Sequence, residues 1–204
     1  MAYSDFKIEE IKIRFKIKII EKSNLITSKP VVPSDWLKET LRRNSPLASA
    51  INTEKARSEF LIAPILSELK EICPYISLFS GTEFNVDPIQ GLNGVCDFLV
   101  SQSREQLSIE APVVLLVEAK KENLNLATPQ CIAEMIAAQI FNQNQDNKIK
   151  KIYGVVTTGS VWRFLCLEGQ TTTIDLTEIY INPLENLLGI LTTIVEEDIL
   201  EKGA

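Results

Sequence analysis

Five consecutive aliphatic residues, Val113 to Val117, run directly into Glu118-Ala119-Lys120-Lys121, and this junction constrains the fold more than any other stretch of the chain. A short apolar run rich in β-branched residues, with Pro112 before it and charges after it, reads as a strand buried on both faces. Residues two apart on a strand share a face, so Glu118 and Lys120 point one way and Ala119 the other. A second strand-like stretch, Gly94-Val-Cys-Asp97-Phe-Leu-Val100, carries Asp97 where a core strand should have no charge. On a neighbouring strand, Asp97 is positioned to meet Glu118 and Lys120. Two carboxylates and one ammonium converging at a sheet have two readings, a cation site or a buried salt bridge. Buried ionic groups are not in themselves evidence of chemistry.

Composition decides which chemistry is open to such a cluster. The 204 residues contain no histidine. Ser-His-Asp and Cys-His nucleophilic systems in their usual form are therefore excluded, as is His-ligated zinc. Hydrolysis by this chain must rest on carboxylates, lysine and a metal. Asp97, Glu118 and Lys120 are the residue types a metal-assisted phosphodiester hydrolase needs, because Mg²⁺ takes a few carboxylates and leaves positions for water and phosphate oxygens. The four cysteines (Cys73, Cys96, Cys131 and Cys166) are widely spaced in apolar surroundings and read as free thiols in a reducing compartment. The N-terminus lacks a signal-peptide layout, and no apolar run approaches the roughly 20 residues that span a bilayer. A cytoplasmic protein with no membrane partner is expected. The net charge of -6 argues mildly against a dedicated nucleic-acid binder. Its distribution is uneven: residues 1–43 hold ten Lys/Arg and six Asp/Glu, so a basic N-terminal region adjoins an acidic body.

Along the chain, Ile11 to Ile19 alternates apolar and basic residues and predicts a strand with Lys12, Arg14, Lys16 and Lys18 on its wet face. Those cations either track a phosphate backbone or protect a sheet edge, the second being favoured slightly. Ser34-Asp35 caps a short helix from Trp36 to about Arg43, which Asn44-Ser45-Pro46 stops. Thr53 to Ile72 predicts a helix with Glu59 beside its apolar stripe and a kink or adjustment at Pro64. Strands over Ile76–Asp87, with a bulge at Gly81, over Val95–Ser101 and over Val113–Lys120 form an antiparallel meander. A loop over 122–128 precedes a helix from Gln130 to about Gln145, opened by Pro129, in which Gln130 and Glu134 share a face. Strands over 152–157, 161–167 and 171–176 follow, and Asn182-Pro183 opens a last helix to about Leu200. The fold class is α/β (α+β), with a central mixed sheet flanked by helices. Residues 1–50 form a basic strand and short helix ahead of a unit over 51–204, in one compact domain overall.

Helix with Glu59, three strands with Asp97 and then Glu118-Ala119-Lys120, helix with Gln130, strand: over about residues 50 to 160 this order resembles the PD-(D/E)xK, or restriction-endonuclease-like, nuclease superfamily. Arg57-Ser-Glu-Phe-Leu-Ile-Ala-Pro-Ile-Leu66 also looks like the opening helix of restriction-subunit nuclease domains. The resemblance implies an αβββαβ core extended by C-terminal strands and a helix. It implies hydrolysis of nucleic acid, with DNA the expected partner, and Mg²⁺ (or Mn²⁺) as cofactor. Asp97 and Glu118 would ligate the metal through their side chains and Ala119 through its backbone carbonyl. Glu59 would bind a second metal or a metal-bound water. Lys120 would position the nucleophilic water, and Gln130 would complete the site. Cys96 replaces the proline of the family's name, and Glu134 stands where some relatives have a tyrosine, which speaks against strand-processing exonuclease activity. Symmetric dimers are a common way to cut two strands, so a homodimer is a candidate assembly. The alternative reading is a non-catalytic protein of the same fold that binds nucleic acid or a protein partner.

Overall fold

The Val113–Val117 run lies in the middle of a sheet, as its lack of any polar face requires. It forms most of β4 (Val113–Ala119), every residue of which is buried. The computed structural model describes residues 1–202, with side chains through residue 197. Eight strands make one mixed sheet: β1 (Lys18–Lys22), β2 (Ser77–Glu83), β3 (Val95–Ser101), β4, β5 (Lys151–Thr157), β6 (Val161–Glu168), β7 (Thr171–Asp175) and the short β8 (Ile179–Tyr180). Their spatial order is β1-β7-β6-β5-β4-β3-β2, with β8 attached to β6. β2, β3 and β4 form the expected antiparallel meander. β4 and β5 are parallel neighbours, and a parallel pair needs a long crossover, which the chain makes through α5 (Leu124–Asn144).

Helices cover both faces. On one, α2 (Asp35–Ile51), α4 (Ala63–Ile72) and α6 (Leu184–Lys202) pack over Val117, Ala119, Val155 and Phe164. On the other, α1 (Ile8–Arg14) and α5 pack over Leu116, Ile152, Val156 and Leu165. Gly154, on β5, allows the closest approach in the second layer. A Cβ there would lie 2.4 Å from Met135 Sδ and 2.7 Å from Cys131 Sγ on α5.

The N-terminal segment departs most from expectation. Residues 8–14 are helical, and the strand is confined to Lys18–Lys22. Ile8, Ile11 and Phe15 also fit helical spacing, and Ile11 is fully buried against α5 whereas Ile13 is left exposed. Glu9 and Glu10 in the first turn and Lys12 and Arg14 in the last complement the helix dipole. Lys16 then takes a left-handed conformation (φ 55°), which turns the chain into β1. Lys12, Arg14, Lys16 and Lys18 therefore do not share one strand face. β1 itself lies at the sheet edge, parallel to β7, where Lys18 and Lys22 suit an unpaired edge. Residues 1–50 are thus woven into the same sheet and cores as the remainder.

Prolines account for the other differences. α2 runs through Pro46 to Ile51 and ends at Asn52, a left-handed C-cap (φ 51°). The hydroxyl of Ser45 donates to the Leu41 carbonyl at 2.7 Å beside the break. The next helix begins at α3 (Glu54–Arg57), capped by Thr53, and reaches α4 through a π-helical turn, Ser58–Ile62. Pro64 lacks an N–H for the carbonyl of Phe60, four residues back. The amide of Asn44 supplies the donor instead, at 3.2 Å. α5 starts six residues earlier than Pro129 suggests, because Asn123 caps it by accepting from the Asn125 N–H at 2.9 Å. At Gly81 there is no inserted residue: Ser80 pairs with Phe98 and Thr82 with Cys96, an unbroken register. The glycine is there for its left-handed backbone (φ 62°).

Replacing Gly154 by alanine should overpack the α5–β5 contact and lower the unfolding free energy by about 1–3 kcal/mol, read from urea denaturation. An unchanged midpoint would mean that α5 is not seated as closely as described.

Candidate active site

The open ends of β3 and β4 gather the charged residues. Antiparallel pairing sets Phe98 against Val117, and the same register continued one step outward sets Asp97 against Glu118. Glu118 is one residue from the end of β4, on the face that α5 covers, and is only 1% exposed. The Ala119 N–H donates to Asp97 Oδ2 at 2.8 Å, which ties the two strand ends together. The Lys120 N–H continues the ladder to β5 by donating to the Thr157 carbonyl at 2.8 Å. Ala119 turns its side chain into the opposite core layer. The alternation read from the sequence thus puts Glu118 and Lys120 together beside Asp97.

Lys120 Nζ donates to Glu118 Oε1 at 2.5 Å, and Glu54 Oε2, on α3, lies 3.8 Å from the same nitrogen. Burial disfavours the ammonium, but the carboxylates of Glu118, Glu54 and Asp97 outweigh it and hold the Lys120 pKa above its ordinary value. From the α5 side comes Glu134, fully buried, whose Oε1 accepts from Gln130 Nε2 at 3.1 Å. Gln130 thus reaches Glu134, which interacts electrostatically with Glu118, Asp97 and Lys120, and does not itself hydrogen-bond to those three. Glu59 is not in that group. It is exposed, and its nearest cation is Lys55 at 3.7 Å. The physical reason is helical phase: Glu54 and Glu59 are five residues apart, about 140° around a helix, so only one of them can face β4. Lys121 is half-exposed and pairs with Glu122 at 3.3 Å.

The site carries more negative charge than its one lysine offsets. Burial, then the Asp97 carboxylate, pushes the Glu118 carboxyl up to about 7, with Lys120 pulling in the opposite direction. Burial and the nearby Glu118 raise Glu134 well above the usual carboxylate range. The thiols of Cys96 and Cys131 are also pushed up, first by burial and then by Glu134 and Glu118, so neither is a thiolate nucleophile. Glu118 Oε2 and Glu134 Oε2 are both buried and find no hydrogen-bond partner among the described residues. A carboxylate oxygen desolvated in this way is costly unless protonated or bound to a cation. Among the described residues no group of three or more Cys, Asp or Glu side chains is placed to hold a metal ion. Mg²⁺ does not require one, since it is held by one or two carboxylates with several waters and substrate phosphates completing its shell. The hard oxygens of Asp97 and Glu118, one of them unpartnered, fit that kind of open site.

No family model matches this chain, and no curated protein matches its sequence. Among the described residues, no helix is long and apolar enough to cross a membrane. Glu54 is a site residue not singled out from the sequence, although a helix starting at Thr53 puts it in the first turn. The shared face of Gln130 and Glu134 is legible in their spacing and is realised as a hydrogen bond, but the spacing does not show that Glu134 faces Glu118.

The raised Glu118 pKa makes a signed prediction for metal-free protein. The unfolded state ionises near pH 4.5 and the folded state near pH 7. The stabilising contribution is thus complete below pH 4.5 and is lost as pH rises through 7, a decline of about 3 kcal/mol at 1.36 kcal/mol per unit. Glu118→Gln should flatten this part of the stability profile, measured as Tm against pH in the presence of a chelator. Superimposable profiles for the two proteins would show that the Glu118 carboxyl is not perturbed.

Proposed function

We propose that this chain is a metal-dependent nuclease of the PD-(D/E)xK type, hydrolysing phosphodiester bonds in nucleic acid, with DNA as the leading substrate. The observation that carries this reading is the meeting of Asp97, Glu118 and Lys120 at the ends of β3 and β4. The element order supports it: a helix (α3 to α4), three antiparallel strands, the α5 crossover and a strand parallel to the third. It is the order expected of an αβββαβ restriction-endonuclease-like core, to which β1, β6–β8, α1, α2 and α6 would be additions.

Asp97 and Glu118 would hold Mg²⁺ or Mn²⁺ through their side-chain oxygens, and the Ala119 carbonyl, next after Glu118 in sequence, would be a further ligand. The ion, when bound, supplies a more acidic water and positive charge opposite the phosphate oxygens. Lys120 does the remaining work at the reacting phosphate. Its ammonium, steered from one side by Glu118 and from the other by Glu54, orients the attacking water and stabilises the negative charge that develops on phosphate. Glu54 takes the place expected of Glu59 as the carboxylate delivered by the opening helix. Gln130 fixes the orientation of Glu134, and α5 keeps bulk water from Glu118. A second reading, a non-catalytic protein of the same fold that binds nucleic acid or a protein, is favoured by the closed Lys120–Glu118 ion pair, in which two of the charges satisfy each other.

Cleavage of supercoiled and linear DNA, and of RNA, in Mg²⁺ or Mn²⁺ separates these readings. Lys120→Ala should lower the rate by about 10²–10⁴-fold. Asp97→Asn and Glu118→Gln should abolish both cleavage and the stabilisation by metal, about 2.7 kcal/mol at a hundredfold excess over Kd. Glu59→Gln, on an exposed face, should cut like the wild type. No cleavage by the wild type, together with no stabilisation by metal, would rule out the nuclease and favour the non-catalytic reading.

A further inference from the structure

Beside the carboxylate cluster a polar cleft of about 540 Å³ opens between α3, the start of α5 and the β5–β6 turn, and Arg57, Lys121, Asn123, Ser160 and Arg163 are among the residues lining it. Resting on the nuclease reading, we propose that this cleft seats the phosphate backbone of the substrate strand next to the scissile bond, with Arg163 as its anchor.

Sheet register gives Arg163 its position. Glu118 pairs with Val156 across β4 and β5, and Val156 pairs with Arg163 across β5 and β6. The three residues form one row, and Arg163 lines the clefts beside α5 on the face where Glu118 lies. Neighbouring strands are about 4.8 Å apart, so the Glu118 and Arg163 backbones are separated by roughly 10 Å. A nucleic-acid strand rising about 3.4 Å per nucleotide covers that distance in about three nucleotides. Arg163 also lines a second cleft, of about 370 Å³, which contains Lys12 of α1. A strand leaving the carboxylates therefore has a path past Lys121 and Arg163 towards the basic N-terminal segment.

The charges in the first cleft favour an anion. Arg57 is held by neutral acceptors, Asn52 Oδ1 and the Thr158 carbonyl, so no carboxylate offsets its charge there. Lys121 and Arg163 are opposed by Glu122 and Glu178. That leaves three cations against two carboxylates in a chain of net charge -6. Arg163 gives Nη1 to Asn125 and Nη2 to Glu178, both at 2.7 Å. Its Nε is buried without a partner among the described residues, so a phosphate oxygen would be met by the second hydrogens of Nη1 and Nη2, on a side chain that is 18% exposed. A substrate held in this way is a polynucleotide strand of several residues, and a mononucleotide ester would leave the anchor unused.

The test is the anisotropy of labelled single-stranded DNA and RNA oligonucleotides and of a DNA duplex. Binding is measured in Ca²⁺ over a range of salt concentrations with wild type, Arg163→Gln, Lys121→Gln and Arg104→Gln. Arg104 is an exposed cation in the β3–β4 loop, at the opposite end of the strands from Asp97 and Glu118. Loss of one phosphate contact should reduce the slope of log K against log salt by about 0.7 on single strands or about 0.9 on duplex. That reduction is expected for Arg163→Gln and Lys121→Gln, with weaker binding, and not for Arg104→Gln. Lys121→Gln alters a half-exposed side chain and serves if the Arg163 variant does not fold. Binding and slope unchanged in both cleft variants, with the wild type still binding and cutting, would overturn the phosphate cleft and leave the nuclease reading intact. A wild type that neither binds nor cuts any of the three substrates would overturn both.

Discussion

The structure turns on the placing of carboxylates at the end of a strand that is otherwise wholly apolar. Glu118 sits in a dry position beneath α5, beside Asp97 and close enough to Glu134 for the two carboxyls to repel, and among the described residues the ammonium joined to it is that of Lys120. Burial raises the cost of each negative charge, and the charges repel one another. In the metal-free protein protons relieve part of that cost, which is why Glu118 and Glu134 both hold their protons to higher pH than free carboxylates. A divalent cation would relieve it more fully, and the unpartnered oxygen of Glu118 gives that cation a ligand ready in place. On this account the site is a locally unfavourable arrangement that the surrounding cores tolerate.

Those cores explain why the arrangement persists. β4 is pinned on both sides, antiparallel to β3 and parallel to β5, with helices above and below. Gly154 lets α5 lie close against β5, which brings Gln130 and Glu134 over the strand ends. The π-helical turn before Pro64 and the capping of α3 by Thr53 set the phase in which Glu54 approaches Lys120. Side chains contributed by four separate elements thus meet because backbone interactions position each element independently of the site.

The parts of the fold legible in the sequence are those governed by a single strong pattern. β3 and β4 were readable from short apolar runs that each carry charge, Asp97 near the start of one and Glu118 near the end of the other, and the pairing of Glu118 with Lys120 follows from the two-residue period of a strand. The body of α5 was readable as a helix following Pro129, though not its start at Leu124. Where two periodicities coexist, reading fails: Ile8, Ile11 and Phe15 fit a helix and Ile11 to Ile19 a strand, and burial of Ile11 against α5 decides between them. Prolines mislead for a related reason. Pro46 and Pro129 signal a helix end and a helix start, but α2 runs on through Pro46 and Asn123 sets the true start of α5, whereas the adjustment expected at Pro64 is found as the π-helical turn before it. Glu54 and Glu59 both lie on the opening helix, and choosing between them needs the helix phase relative to β4, which no local pattern contains.

The most direct measurement is an anomalous difference map from crystals grown with Mn²⁺. The account predicts a peak between the Asp97 and Glu118 carboxylates, with Glu118 Oε2 among the ligands and Lys120 beside the bound water. A map with no peak there at saturating Mn²⁺, and with the Lys120–Glu118 pair unchanged, would contradict it and leave the cluster as a buried salt bridge.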